Sequence, residues 1–292
     1  NDLFDGDAEM VAYMQRAIGY TLTGFNKEQI MFLMYGGGSN GKSTFLDTMN
    51  KLMGDYASAT AFSTFDADNR SDNTNDLARL KGARFVAIVE TNQEKRLDES
   101  KVKSVTGSDK ISARFLYKEF FDYTPQFKIW LAVNHKPIIR GTDNGIWRRL
   151  QTIPFLQSFE GSRTNLDMPT LLQQELPGIL NWALEGLREY TKQRLNPPEI
   201  IKAAAREYRN DSDMVLQWLN EQATIDYQEF VAVSIAYSNF KGWCEDSGIR
   251  YAPTKDNFSK RLNEKGYESM QKKVDGKNSR IYTGFTCGLY SP

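Results

Sequence analysis

One octapeptide constrains this chain more than anything else in it: Gly36-Gly37-Gly38-Ser39-Asn40-Gly41-Lys42-Ser43, a complete GxxxxGK[ST] pattern. The apolar, strand-like segment Ile30 to Tyr35 precedes it, and a helix-like stretch from Lys42 to Met53 follows. Strand, glycine loop and helix in that order make a phosphate cradle. Glycines let backbone N–H groups approach phosphate oxygens, a helix N-terminus favours negative charge, Lys42 reaches the β/γ oxygens and Ser43 can ligate Mg²⁺. The expectation is an ATP site spanning Gly36 to Thr44. The bland alternative is a glycine-rich turn that matches by chance; the strand before it and the helix after it weigh against that.

The 292 residues suggest about two domains, and 40 % hydrophobic content with 12 % aromatic is enough for real cores. Charge is balanced, 37 basic residues against 37 acidic, so any nucleic-acid contact must come from local patches. Two cysteines, Cys244 and Cys287, lie far from metal-ligand spacing, and the single histidine, His135, excludes most histidine-based metal sites and triads. A reducing, cytoplasmic compartment fits. No apolar run approaches a membrane span, and the start Asn1-Asp2-Leu3 is neither a signal peptide nor an initiator methionine, which suggests a piece of a longer protein.

Helical spacing over about 7 to 23 leads into the P-loop strand. Ser63 to Asp76 is polar and reads as a surface loop. Two further apolar runs, Arg84 to Val89 and Phe127 to Val133, end at Glu90 and Asn134. Between them, Asp98 is a plausible cap for a short helix to Thr106 with Gly107 past its end. Three buried strands ending in polar residues indicate a parallel α/β sheet with its site at the carboxyl edge. Asp109 to Gln126 suggests a projecting hairpin, and 169 to 210 reads as helical. From about Asp211 the pattern changes to helix-like segments at Asp213 to Glu221, Val233 to Asp246 and Lys255 to Lys265, then a ribbon with a turn signal at Asp275-Gly276. Three helices and a two-stranded ribbon describe a winged helix. Lys255 to Arg280 holds eight Lys/Arg against four Asp/Glu, either a nucleic-acid face or a solvated basic surface.

Hydrolysis of ATP needs a carboxylate facing the P-loop, a polar group near the γ-phosphate and a cation for transition-state charge. Glu90 is the candidate for Mg²⁺ or for orienting the attacking water, and Asn134 for the water or γ-phosphate. Either could be an ordinary strand-end polar residue. The pair Arg148-Arg149 precedes the strand Leu150 to Pro154; a planar guanidinium suits a spread phosphoryl charge, and the bland alternative is a structural ion-pairing element.

Gly36 to Thr44, Glu90-Thr91 through Gly107, Phe127 to Pro137 and Trp147-Arg148-Arg149-Leu150, in this order, resemble superfamily 3 helicases, and most nearly the phage and plasmid primase-helicase type related to the poxvirus primase-helicase. The resemblance covers nearly the whole chain. It implies an α/β, AAA+-like P-loop ATPase core (27–160) with an N-terminal helical collar segment (1–26), a helical segment (161–210) and a C-terminal winged-helix domain (211–292). It further implies a homo-oligomeric ring, usually a hexamer, moving along single-stranded or forked DNA, with a primase or primase-polymerase domain upstream. By position, Lys42 and Ser43 become the Walker A pair, Glu90 the Walker B carboxylate, Asn134 the sensor and Arg148 the arginine finger, with Arg149 the runner-up. Asp109 to Tyr123 corresponds to a DNA-tracking hairpin, with Lys110, Arg114 and Lys118 as phosphate contacts and Phe115 or Phe120 as wedges, or else to a hairpin packed in a subunit interface. Lys260, Arg261, Lys272 and Lys273 are the DNA-binding candidates of the winged helix. One departure stands out. Many family members carry two adjacent acidic residues at Walker B, whereas Thr91 follows Glu90 here, leaving Glu94 as a possible second carboxylate. Two other function classes fit parts of the pattern: an ATP-switched DNA-binding initiator or loader, and a small-molecule P-loop kinase, against which the C-terminal third argues.

Overall fold

The computed structural model describes residues 1–69, 74–141, 143–249, 252–274 and 276–288. Thr142, Asp275 of the expected hairpin turn and part of the expected loop at 63–76 lie outside the described residues. The chain divides into two compact units, Asn1–Tyr208 and Arg209–Pro292.

The first unit is a parallel α/β structure. In chain order its elements are α1 (Ala8–Thr21), β1 (Met31–Tyr35), α2 (Lys42–Met53), β2 (Ala57–Ala59), α3 (Asn75–Ala78), β3 (Phe85–Glu90), α4 (Glu99–Thr106), β4 (Ile111–Ala113), β5 (Phe121–Tyr123), β6 (Lys128–Val133), α5 (Asn144–Trp147), β7 (Leu150–Pro154), α6 (Met168–Gln174), α7 (Leu176–Gln193) and α8 (Glu199–Asp211). Five parallel strands lie in the order β2-β3-β6-β1-β7. Their apolar residues alternate between two cores because successive side chains of a strand point to opposite faces. Leu33, Val86, Ile88, Ile129 and Leu131 pack on one face with α4 and α5. Phe32, Met34, Phe85, Ala87 and Trp130 pack on the other with α1, α2 and α7. Burial on both faces is why these strands read as unbroken apolar runs.

Local chemistry sets the helix ends. The Asp7 carboxylate accepts from Glu9 N and Met10 N to start α1, and Asp98 accepts from Lys101 N to start α4, which ends at Gly107. Helices α1 and α7 meet at two glycines. A Cβ on Gly19 would lie 2.2 Å from Leu187 N, and one on Gly186 1.9 Å from Gln15 O. Neither position has room for a side chain.

Two readings of the sequence change. The expected surface loop is partly core: Phe62, Phe65 and Asp66 are buried, and Lys95 pairs with Asp66 at 3.0 Å. The helical stretch 169–210 is three helices, broken at Glu175 and across 194–198, where Pro197-Pro198 cannot continue a helix.

The second unit holds the last bonds of α8, then α9 (Met214–Gln222), β8 (Thr224–Ala232), α10 (Val233–Asp246), α11 (Lys255–Glu264), β9 (Ser269–Val274) and β10 (Lys277–Thr286). The ribbon β9–β10 is joined by a third strand, β8, in the antiparallel order β8-β10-β9. The sequence reading misses β8 because six of its nine residues are exposed and it lacks an apolar alternation. Trp218, Phe240, Phe258, Tyr282 and Phe285 form the core of this unit, with both cysteine thiols buried beside them.

Candidate active site

The P-loop hangs between β1 and α2, as its flanking sequence requires. Gly36 and Gly41 have φ of 156° and 83°, and Ser39 sits at φ 53°. A Cβ at Gly36 would meet Phe155 O at 2.1 Å, and one at Gly41 would meet Leu3 Cδ2 at 2.5 Å. The Phe155 backbone therefore leaves room only for glycine at Gly36, and the left-handed backbone favours glycine at Gly41. Phe159 N donates to Ser39 O at 2.8 Å, fixing the far side. Asn40 braces the interior, its Nδ2 donating to Gly37 O at 2.6 Å and Phe155 O at 3.2 Å.

Lys42 is buried, and its Nζ donates to Gly36 O at 2.8 Å, Gly37 O at 3.0 Å and Asn40 Oδ1 at 2.9 Å. These acceptors are neutral, so burial pushes the ammonium down to about 8. No side chain caps α2, whose first turn opens on the loop with Ser43 exposed. A cation lacking a carboxylate partner, unsatisfied helix donors and a glycine loop are a donor set that fits a polyphosphate.

Strand register puts the other candidates at the same edge. Tyr35 and Glu90 both stand opposite Val133, so Gly36, Glu90 and Asn134 leave three adjacent strands at one level. Adjacent strands are about 4.8 Å apart, which places Glu90 and the P-loop about 10 Å apart with Asn134 between them. Glu90 is half-buried and its Oε1 accepts from Asn92 N at 2.7 Å; Asn134 is exposed. Glu94 is exposed in the loop after β3, at φ 58°. That loop is tied to the one after β6 by Gln93 Nε2 and His135 Nε2, 3.0 Å apart, and by Ile138 N donating to Lys95 O at 2.7 Å.

The arginine pair is elsewhere. Arg149 O accepts from Met31 N at 2.8 Å, at the amino end of β1, so both arginines lie at the sheet edge opposite the P-loop. They precede β7, as the sequence places them. Arg148 is exposed and its Nη2 donates to Gln29 Oε1 at 2.8 Å. Arg149 is buried, with Nε donating to Thr106 Oγ1 at 3.2 Å and Nη1 to Gly145 O at 2.5 Å.

Strands β4 and β5 form the hairpin, paired from Ile111–Tyr123 to Ala113–Phe121. At its tip Arg114 lies over the Phe120 ring at 4.6 Å, and Phe115 stacks on Phe121 at 5.8 Å. Both expected wedges thus have partners within the hairpin. Tyr117, which the sequence reading passes over, is fully exposed at φ 59°. Lys110, Arg114 and Lys118 are exposed around it. In the second unit, Lys260, Lys272 and Lys273 are exposed and Arg261 is half-buried. Lys272 and Lys273, adjacent on β9, point to opposite faces, with Lys272 Nζ 3.8 Å above the Phe230 ring.

Residues 34–149 match a family of unknown function (DUF5906), and residues 210–288 match the Poxvirus D5 protein-like family. The chain is 29 % identical over 259 residues to "Putative helicase L207/L206" of Acanthamoeba polyphaga mimivirus, covering 81 % of this chain and 27 % of that protein. It is 25 % identical over 251 residues to "Putative helicase 022R" of Frog virus 3, covering 79 % and 26 %. A shorter stretch of 128 residues is 32 % identical to "Putative primase C962R" of African swine fever virus, covering 43 % and 13 %. In fold it resembles the C-terminal region of NrS-1, with a TM-score of 0.57 at 14 % identity over 97 % of this chain and 73 % of that one. These likenesses are to viral proteins named as helicases and a primase, and in fold to the C-terminal region of NrS-1. The chain spans about a quarter of the length of the two helicase relatives.

Proposed function

We propose that this chain is the ATP- and Mg²⁺-dependent DNA helicase module of a phage, plasmid or viral replication protein, working as a ring, usually a hexamer in proteins it resembles. The observation that carries the reading is the division of the site between two edges of one sheet. Gly36, Glu90 and Asn134 share the carboxyl edge, while Arg148 stands at the amino edge. The five residues of β1 separate the edges by about 16 Å at ~3.3 Å per residue, beyond the reach of one side chain. Arg148 can meet a γ-phosphate only in another copy.

In this mechanism the backbone N–H groups of Gly38 to Thr44 and the α2 N-terminus hold the phosphates, with Lys42 turning from its three carbonyl-type acceptors to the β/γ oxygens. Ser43 and Glu90 would hold Mg²⁺, which supplies charge neutralisation when bound. Glu90 orients the attacking water, Asn134 donates towards the γ-phosphate, and Arg148 of a neighbour stabilises the spread charge. The hairpin grips single-stranded DNA through Lys110, Arg114 and Lys118. Helix α1 serves as the collar, and the second unit is a winged helix touching forked DNA through Lys260, Arg261, Lys272 and Lys273. A primase or primase-polymerase domain upstream fits the primase relative and the fraction of its relatives that the chain spans.

The test is strand displacement from a labelled fork with ATP, at enzyme concentrations where each ring must turn over. ATP-dependent assembly on DNA without displacement would replace this reading by the initiator or loader. A chain that stays monomeric with ATP and single-stranded DNA by native mass measurement would remove the ring.

A further inference from the structure

The second unit contains a groove of about 520 Å³ between the start of α10, one face of α11 and the β9–β10 ribbon. Three cations line it: Lys255, Lys260 and Arg280. Hydroxyls from Ser234, Ser259 and Ser269 stand among them, and Asp256 is its one carboxylate among the described residues. Three of the polar groups are fixed in place by the protein itself. Arg280 Nε donates to Ser269 Oγ at 2.9 Å, and Ser259 Oγ lies 2.7 Å from the Tyr282 hydroxyl. Helix α10 opens onto the groove at Val233 and Ser234 with Ala232 at its N-cap and no side-chain cap, which leaves first-turn N–H groups as further donors.

The charged and hydroxyl groups of this lining suit an anion. Its positive charge exceeds its negative, its donors are numerous and partly pre-positioned, and among the described residues no aromatic ring lines it on which a base could stack. A free nucleotide would gain only through its phosphates, and a lone carboxylate is a poor partner for a metal-bridged one. Resting on the reading of the second unit as a DNA-binding module, we infer that the groove holds a phosphodiester of the DNA backbone, fixing α11 against the duplex. Ser234, Ser259, Ser269 and Arg280 are thereby added to the contact surface. The groove supplies position and not sequence, since backbone contacts carry no base information.

The test uses the full chain carrying Tyr117→Ala and Lys118→Ala, so that the hairpin does not mask the second unit, and a labelled duplex followed by anisotropy across a salt series. Ser234→Asp places a negative charge where the phosphate would sit, at a helix start that favours an acidic residue, so the fold is kept. It is expected to weaken binding about tenfold or more. Arg280→Gln and Lys260→Gln should each lower the salt slope by about one. A single neutral methylphosphonate moved along the duplex should weaken the parent at one position and leave Ser234→Asp indifferent there. If Ser234→Asp binds as tightly as its parent while Lys273→Gln weakens binding, the groove is overturned and the DNA-binding reading stands. If no form binds duplex in a salt-sensitive way, both fall together. Ser234→Asp abolishing binding of inorganic phosphate or ATP, with duplex affinity unchanged, would also overturn the inference.

Discussion

Arg148 Nη2 donates to Gln29 Oε1 across 2.8 Å, and its neighbour Arg149 faces the other way, into the core against Thr106. Adjacent guanidinium groups thus have different surroundings: one exposed and held by a neutral amide it can leave, one buried and committed. This separation assigns the pair different expected phenotypes.

Loss of Arg148 is expected to lower ATP turnover by ~10³-fold with little change in ATP affinity, because a finger acts on transition-state charge. Mixing inactive Arg148→Ala with inactive Lys42→Ala should restore part of the ATPase, since the first offers a complete cradle and the second a finger. Mixed rings that stay as inactive as either parent would contradict the shared site.

Arg149→Ala is expected to act on stability. It removes the guanidinium bonds to buried Thr106 Oγ1 and half-buried Gly145 O, each lost bond costing about 0.5–1.5 kcal/mol. Denaturant unfolding should show the midpoint falling, whereas Arg148→Ala should leave it near wild type.

Lys42, pushed down to about 8, makes ATP binding pH-dependent near neutrality. The charged lysine binds phosphate, so affinity should be level below pH 8 and fall above it, by up to about tenfold per pH unit. The stability effect has the opposite direction. The folded chain holds its proton less tightly than the unfolded one, so this group's contribution to stability rises between pH 8 and the usual lysine value of about 10.5. Nucleotide titrations from pH 7 to 9.5 should show the drop, and Lys42→Ala should bind weakly without it.

Glu90→Gln should keep ATP binding and lose hydrolysis by about 10²-fold or more, while Glu94→Gln turns over near the wild-type rate. Register holds Glu90 level with Val133 and Tyr35, next to Asn134 and Gly36, whereas Glu94 stands exposed four residues further along. Normal turnover by Glu90→Gln with loss in Glu94→Gln would exchange their roles.

Tyr117 occupies a left-handed backbone conformation at full exposure, a cost of about 1–2 kcal/mol for a non-glycine residue. Tyr117→Gly should therefore raise the melting temperature, while Tyr117→Ala and Lys118→Ala keep nucleotide-binding ability and lose strand displacement. Unwinding at the normal rate by Lys118→Ala would remove Lys118 from the strand-gripping role, and by Tyr117→Ala would show that the exposed ring at the tip takes no part in unwinding.

How much of this was legible in the sequence follows from the range of the forces involved. The P-loop, the strand at Leu150–Pro154, helix α2 to the residue and the Asp98 cap of α4 are set by glycine freedom, apolar runs and side-chain-to-backbone bonds a few residues apart, and these can be read along the chain. Strand β8 could not be, because a mostly exposed strand is stabilised by backbone pairing with β10 and carries no apolar period. Burial of Phe65 and Asp66 within a polar stretch depends on Lys95 and on the core beneath, all distant in sequence.

The sequence by itself determined that this chain builds a glycine loop between a strand of a parallel sheet and a helix, and supplied Lys42, Glu90, Asn134 and an arginine pair as its chemical groups. Only the tertiary structure decided where those groups stand. Parallel register brought Glu90, Asn134 and Gly36 to one edge within a residue of each other, and set Arg148 at the opposite edge, about one strand length away. Strand order and register arise from long-range packing on two faces of the sheet, which no local sequence pattern encodes.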